Sequence, residues 1–218
     1  MVRRRLATML VGLLLVSMIF VGCSPKESTT GRADKTTLVV STYENPGSFN
    51  PDWKTDDPAY AINQNIFNKL VTITGNFEIK PDLAKSWEIS EDGLTYTFYL
   101  EEGVKWHDGV PFTSKDVKYT IEAIQQNKGR MYNEYSAIES VECPDDYTVV
   151  FHLSRPDAAL LSFLSWYACF IMPEHIYAGT DWTTNPANQK PIGTGPFKFV
   201  SWKPGESIEL EANEEYFK

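Results

Sequence analysis

The chain has 218 residues, a formal net charge of −9, 42% hydrophobic and 13% aromatic content, and three cysteines. That acidic balance argues against nucleic acid as a partner, because binding it needs Lys and Arg to displace counterions. The length permits one large or two small domains, and the many aromatic residues call for a substantial core, aromatic pocket walls, or both.

Arg3, Arg4 and Arg5 precede an uncharged, mostly apolar run over 6–22. This is the layout of a secretory signal, and the run is too short for a comfortable membrane span. It closes on Phe20-Val21-Gly22-Cys23-Ser24, which resembles a bacterial lipobox with Phe20 where Leu is usual. The resemblance implies a signal peptide over 1–22, removal of which leaves a more acidic chain, and a diacylglyceryl (palmitate-type) lipid on Cys23. A plain signal peptide, or a signal anchor with an incidental cysteine, is the alternative. Residues 24–37 are rich in Ser, Thr, Lys and Gly and hold nothing apolar larger than Ala33. Such a segment reads as a tether, so 23–37 is expected to leash the folded part to the cell membrane on its extracellular or periplasmic side.

The β-branched run 38–42 predicts a strand that Asn45-Pro46-Gly47 breaks. From Asp57, Ile62, Ile66 and Leu70 recur every four residues, with Phe67 beside them, predicting a helix. Residues 86–90, the Glu91-Asp92-Gly93 turn and the alternating Tyr96, Phe98 and Leu100 predict a hairpin. Thr113 and Asp116 form a capping-box pattern ahead of a helix through Val117, Ile121 and Ile124. A second hairpin is expected from 138–143 and 147–153, then an apolar helix from Pro156 through Leu160, Leu161 and Leu164, with Trp166 and Tyr167 read as core. A loop over 191–195, a strand over 197–202, the Pro204-Gly205 turn and a return strand through Ile208, Leu210 and Ala212 complete a mixed α and β chain.

Several ordered blocks carry a family resemblance. They are Pro81-Asp82-Leu83-Ala84-Lys85-Ser86-Trp87, Asp92-Gly93-Leu94-Thr95-Tyr96-Thr97-Phe98, Gly103-Val104-Lys105-Trp106-His107-Asp108-Gly109 and Pro111-Phe112-Thr113 with Asp116-Val117. They continue with Pro191-Ile192-Gly193-Thr194-Gly195-Pro196-Phe197 and Asn213 with Tyr216. From about Leu38 to the end, the chain resembles the family 5 bacterial extracellular solute-binding proteins of ABC importers. The resemblance implies an α/β (mixed α+β) fold of the periplasmic-binding-protein-like type II. It implies an incomplete one: a partial first domain over 38–60 and 186–218, an inserted small domain over 61–185, and a missing second lobe. With one lobe a solute would stay half wet, so weak solute binding by this chain alone is expected. A truncated or split gene product would have this form.

The resemblance also implies a function: capture of an oligopeptide-like solute and delivery to ABC permease subunits, by a monomer with no cofactor and no enzymatic activity. Expected ligand contacts are Tyr43, Glu44, Asn45 and Phe49 after the first strand, and Thr194 and Gly195 in the glycine loop. For each group a purely structural role remains open. The resembled family also binds nickel chelates, sugars and opines, and peptide leads here as its commonest use. A sensor or adhesion lipoprotein on the same scaffold is the second class, and a secreted hydrolase the third.

The residues themselves favour binding over chemistry. His107-Asp108-Gly109 reads as a tight turn with Trp106 packing inward, His152 as a strand position and His175 as a helix start. No nucleophile elbow accompanies them, and three isolated histidines do not make a metal cluster. Cys143 and Cys169 read as unpaired buried thiols.

Overall fold

A computed structural model describes residues 36–53, 56–166 and 169–218. Cys23, the signal segment and Tyr167 lie outside these. Residues 42–218 form one compact unit.

Two antiparallel hairpins make the central sheet. β3 (Ala84–Ile89) pairs with β4 (Thr95–Leu100), and β5 (Ile138–Asp145) pairs with β6 (Thr148–Leu153). β4 then pairs with β6, giving the order β3-β4-β6-β5. Strict alternation puts Tyr96, Phe98 and Leu100 of β4 and Val149, Phe151 and Leu153 of β6 on one buried face. Helix α2 (Ser114–Asn127) packs there with Val117, Ile121 and Ile124. Its start is the expected capping box, in which Asp116 Oδ2 accepts from the Thr113 amide at 2.9 Å. Gly93 closes the first hairpin with φ +68°, where a Cβ is disfavoured.

Helix α1 (Asp57–Ile66) is capped by Asp56, whose Oδ1 accepts from the Ala59 amide at 2.8 Å. A short hairpin follows, β1 (Val71–Ile73) with β2 (Ile79–Pro81), which the sequence pattern does not announce. Three residues per strand are too few to display a period. Helix α3 (Leu160–Ser165) begins four residues later than Pro156, because Asp157 Oδ1 accepts from the Ala159 amide at 3.0 Å and holds a turn there. Trp166, read as core, is 55% exposed at the end of that helix. A short helix α4 (Glu174–Tyr177) and a 3₁₀ turn (Pro186–Asn188) lead to the last hairpin. There β7 (Phe197–Lys203) pairs with β8 (Ser207–Ala212).

The expected strand over 38–42 does not form. Those residues carry no regular structure, and Leu38, Val39 and Val40 are largely exposed. A strand exists through its ladder, and among the described residues no strand pairs with this run.

Candidate functional site

The segment after Thr42 turns back on itself and is held at three points. Asn45 Oδ1 accepts from the Gly205 amide at 2.7 Å, in the β7–β8 turn. The Gly47 amide donates to Asp56 Oδ2 at 2.8 Å, and the Phe49 amide donates to the Asn188 carbonyl at 2.8 Å. The Phe49 ring is fully buried, 5.5 Å from Phe199 and 5.1 Å from Trp202. Phe49 therefore anchors the segment in the core and offers no surface to a solute. Tyr43 is 79% exposed, and Glu44 and Asn45 are exposed beside it.

The glycine loop is wedged against the end of α1. The Gly195 amide donates to the Ile66 carbonyl at 2.7 Å. A Cβ at Gly193 would stand 1.9 Å from that carbonyl oxygen, and one at Gly195 would stand 2.6 Å from it. The glycines thus permit helix and loop backbones to touch. The Gly195 carbonyl accepts from Asn213 Nδ2 at 3.1 Å and from His107 Nε2 at 3.0 Å. Buried Thr194 donates its hydroxyl to Asn68 Oδ1 at 3.0 Å. Both residues spend their polar groups on the protein.

The six expected contacts therefore fall into two groups, an exposed one (Tyr43, Glu44, Asn45) and a buried one (Phe49, Thr194, Gly195). Asn45 is tied to the turn of the β7–β8 hairpin, and Gly195 to its open end. Seven residues of β7 separate these ends, about 20 Å at roughly 3.3 Å per residue. A solute touching both regions would have to be elongated.

A groove of about 580 Å³ adjoins the loop through Asn68 and Pro196. Aromatic walls come from Tyr60, Phe67 and Phe170, and the Lys69 ammonium stands 5.7 Å over the Tyr60 ring and 5.3 Å over Phe170. Beneath lies a hydrogen-bonded floor. Asp82 accepts from Asn68 Nδ2 at 2.8 Å and from the Lys69 amide at 2.9 Å, and pairs with Lys218; Asn68 Nδ2 also reaches the Tyr216 hydroxyl at 3.1 Å. Sequence reasoning missed this groove, since its parts run from Tyr60 to Lys218 and the Asn68–Tyr216 bond in its floor alone spans 148 residues. Asp82 and Tyr216 were visible only as members of the motif blocks.

The histidines have structural partners. Asp108 pairs with His175 at 2.8 Å rather than with its neighbour His107, and His152 lies 3.5 Å from Glu142. Among the described residues no cluster of three or more His, Cys, Asp or Glu could hold a metal ion. Cys169 is buried, and burial pushes its thiol up to about 12, while Cys143 is only half-buried; both are free. Burial also raises the Asp116 carboxyl, which accepts from the Glu174 amide at 2.9 Å.

Residues 78–218 match the bacterial extracellular solute-binding proteins, family 5 Middle. The whole chain aligns at 34% identity with the oligopeptide-binding protein AppA of Bacillus subtilis, covering 43% of that protein. The dipeptide-binding protein of Escherichia coli is 34% identical over 83% of the chain, which covers 38% of it. Among solved structures, NikZ of Campylobacter jejuni in complex with Ni(L-His) superposes with a TM-score of 0.78 at 39% identity, over 84% of this chain and 37% of that one. AppA in complex with a nonapeptide superposes with a TM-score of 0.77 at 35% identity, over 83% and 37%. The expected mixed α/β, binding-protein-like architecture is borne out, and the chain spans less than half the length of these relatives. By ordered motifs, fold and alignment, the chain belongs to the bacterial extracellular solute-binding proteins, family 5.

Proposed function

We propose that this chain is part of the solute-binding component of an ABC importer, capturing oligopeptide-like solutes and handing them to a membrane permease. The observation that carries this reading is the alignment of this chain with 43% of oligopeptide-binding AppA, supported by the superposition on part of AppA holding a nonapeptide. The exposed Tyr43-Glu44-Asn45 loop is the proposed contact surface, and Phe49, Thr194 and Gly195 hold the frame behind it. Residues 38–60 with 186–218, and residues 61–185, are the proposed domain segments. The role is binding rather than catalysis in this reading, which the oligopeptide- and dipeptide-binding relatives support. Deleting the gene in its host should abolish uptake of a labelled oligopeptide, with the intact gene restoring it. Undiminished peptide uptake, with loss of another solute instead, would overturn the choice of peptide.

Lipidation of Cys23 places the protein on the outer side of the cell membrane in this reading. Metabolic labelling with palmitate should mark the protein, and Cys23→Ser should release it unlabelled into the medium or periplasm. An unlabelled wild-type protein would contradict the anchor.

A further inference from the structure

His107 makes three hydrogen bonds to one short loop. Its amide donates to the Gly193 carbonyl at 2.9 Å. Its Nδ1 accepts from the Gly193 amide at 3.2 Å. Its Nε2 lies 3.0 Å from the Gly195 carbonyl. A carbonyl can only accept, so Nε2 must carry the proton. An amide can only donate, so Nδ1 must be bare. The loop therefore admits one form of the ring, the neutral Nε2–H tautomer. An imidazolium would set an Nδ1–H against the Gly193 N–H, donor facing donor. On the side where a Cβ would project, Gly193 is closed off by the Ile66 carbonyl, 1.9 Å from such an atom.

We infer that His107 is a pH-sensitive clasp, which makes all three bonds between the Gly193-Thr194-Gly195 loop and the Trp106-His107-Asp108-Gly109 turn when neutral and gives up the bond from the Gly193 amide when protonated. The charged groups around the ring do not rescue the cation. Asp108, on the same turn, favours it, but its carboxylate is engaged by His175 at 2.8 Å. Lys198, on β7, disfavours it. Lys105, two residues before the ring, is paired with Glu215 at 3.7 Å. Burial is the largest influence and holds the ring below the usual histidine range. The sign follows: the unfolded ring, at about 6.5, takes up its proton before the folded one. The clasp is fully made above about pH 6.5 and weakens as pH falls toward the lower folded value.

The loop is tied to the groove floor. Thr194 holds Asn68 Oδ1, and Asn68 Nδ2 holds Asp82 and Tyr216 in the groove floor. The Gly195 carbonyl keeps its bonds from His107 Nε2–H, which the cation also donates and which favours it, and from Asn213, and the Gly195 amide keeps Ile66, so the opening is local to Gly193. Any consequence for solute affinity rests on the proposed binding function; the clasp itself does not.

The test is nuclear magnetic resonance of the full chain in detergent micelles, with histidine and glycine labelled. At pH 8 the His107 ring should show the Nε2–H tautomer. As pH falls from 7 through the titration of the His107 ring, followed by its own chemical shifts, the Gly193 amide protection factor should fall about twofold to thirteenfold, the range for one lost hydrogen bond. His152→Asn, on β6 and remote from the loop, should keep this response and His107→Gln should abolish it. An Nδ1–H tautomer at pH 8, unchanged Gly193 protection across the range, or the same fall in His107→Gln would each overturn the clasp. The ring tautomer is read on the wild-type protein, so the inference stays open to refutation even if His107→Gln does not fold.

Discussion

The central four-stranded sheet and the β7–β8 hairpin are both antiparallel and both built from alternating aromatic and β-branched residues, yet they stand on different footing. In the central sheet every second residue of β4 and β6 is buried, two hairpins lie side by side, and α2 covers the face. In the last hairpin no residue of β7 or β8 is fully buried. Phe199 and Trp202 pack on the Phe49 ring, and the turn is tied to the Asn45 side chain. Pattern alone makes a hairpin plausible, but a two-stranded ribbon is marginal in water unless its apolar face finds a partner. The first region carries its own core. The second borrows one from a segment about 150 residues earlier in the chain, and that segment also presents the proposed solute contacts.

The comparison can be broken hardest at the core. Phe98→Ala removes a fully buried ring 5.2 Å from Phe151 and should cost about 3–5 kcal/mol in chemical denaturation, lowering the whole transition. Phe49→Ala removes a ring just as buried, but its effect should be regional. Hydrogen exchange should rise across 197–212 while β4 and β6 stay protected. A uniform loss of protection would show that the hairpin is not a dependent element. Gly195→Ala, with its Cβ at 2.6 Å from Ile66 backbone, should destabilise by about 1–3 kcal/mol. A neutral outcome would show that the loop is not wedged. The smallest effect is expected from Asn45→Ala, about 0.5–1.5 kcal/mol, seen as faster exchange of the Gly205 amide with the central sheet unchanged.

Local features were legible where the physics is local. The alternation of Tyr96, Phe98 and Leu100, the Gly93 turn and the Thr113–Asp116 capping box are short-range signals, and each appears where the sequence puts it. The run 38–42 failed because strand propensity describes a residue's fit to a sheet rather than the existence of a neighbour. Trp166 failed because one apolar turn of helix does not say which way its last residue faces. The site was legible only in outline. Glycines at 193 and 195 signal a close approach, but nothing near them in sequence names Ile66 as what approaches. His107 reads correctly as part of a tight turn, yet its partners lie 86 and 88 residues away. Both motif blocks were visible, and the hydrogen bonds that join them were not.

We propose capture of peptides by the loop that Phe49 anchors. Photocrosslinking tests it most directly: membranes from cells carrying the protein are exposed to a pool of short photoreactive peptides, and the adducts are mapped by mass spectrometry. The account predicts adducts on Tyr43 and Glu44, suppressed by excess unlabelled peptide. Adducts confined to the outer face of the four-stranded sheet, or none that unlabelled peptide suppresses, would contradict it.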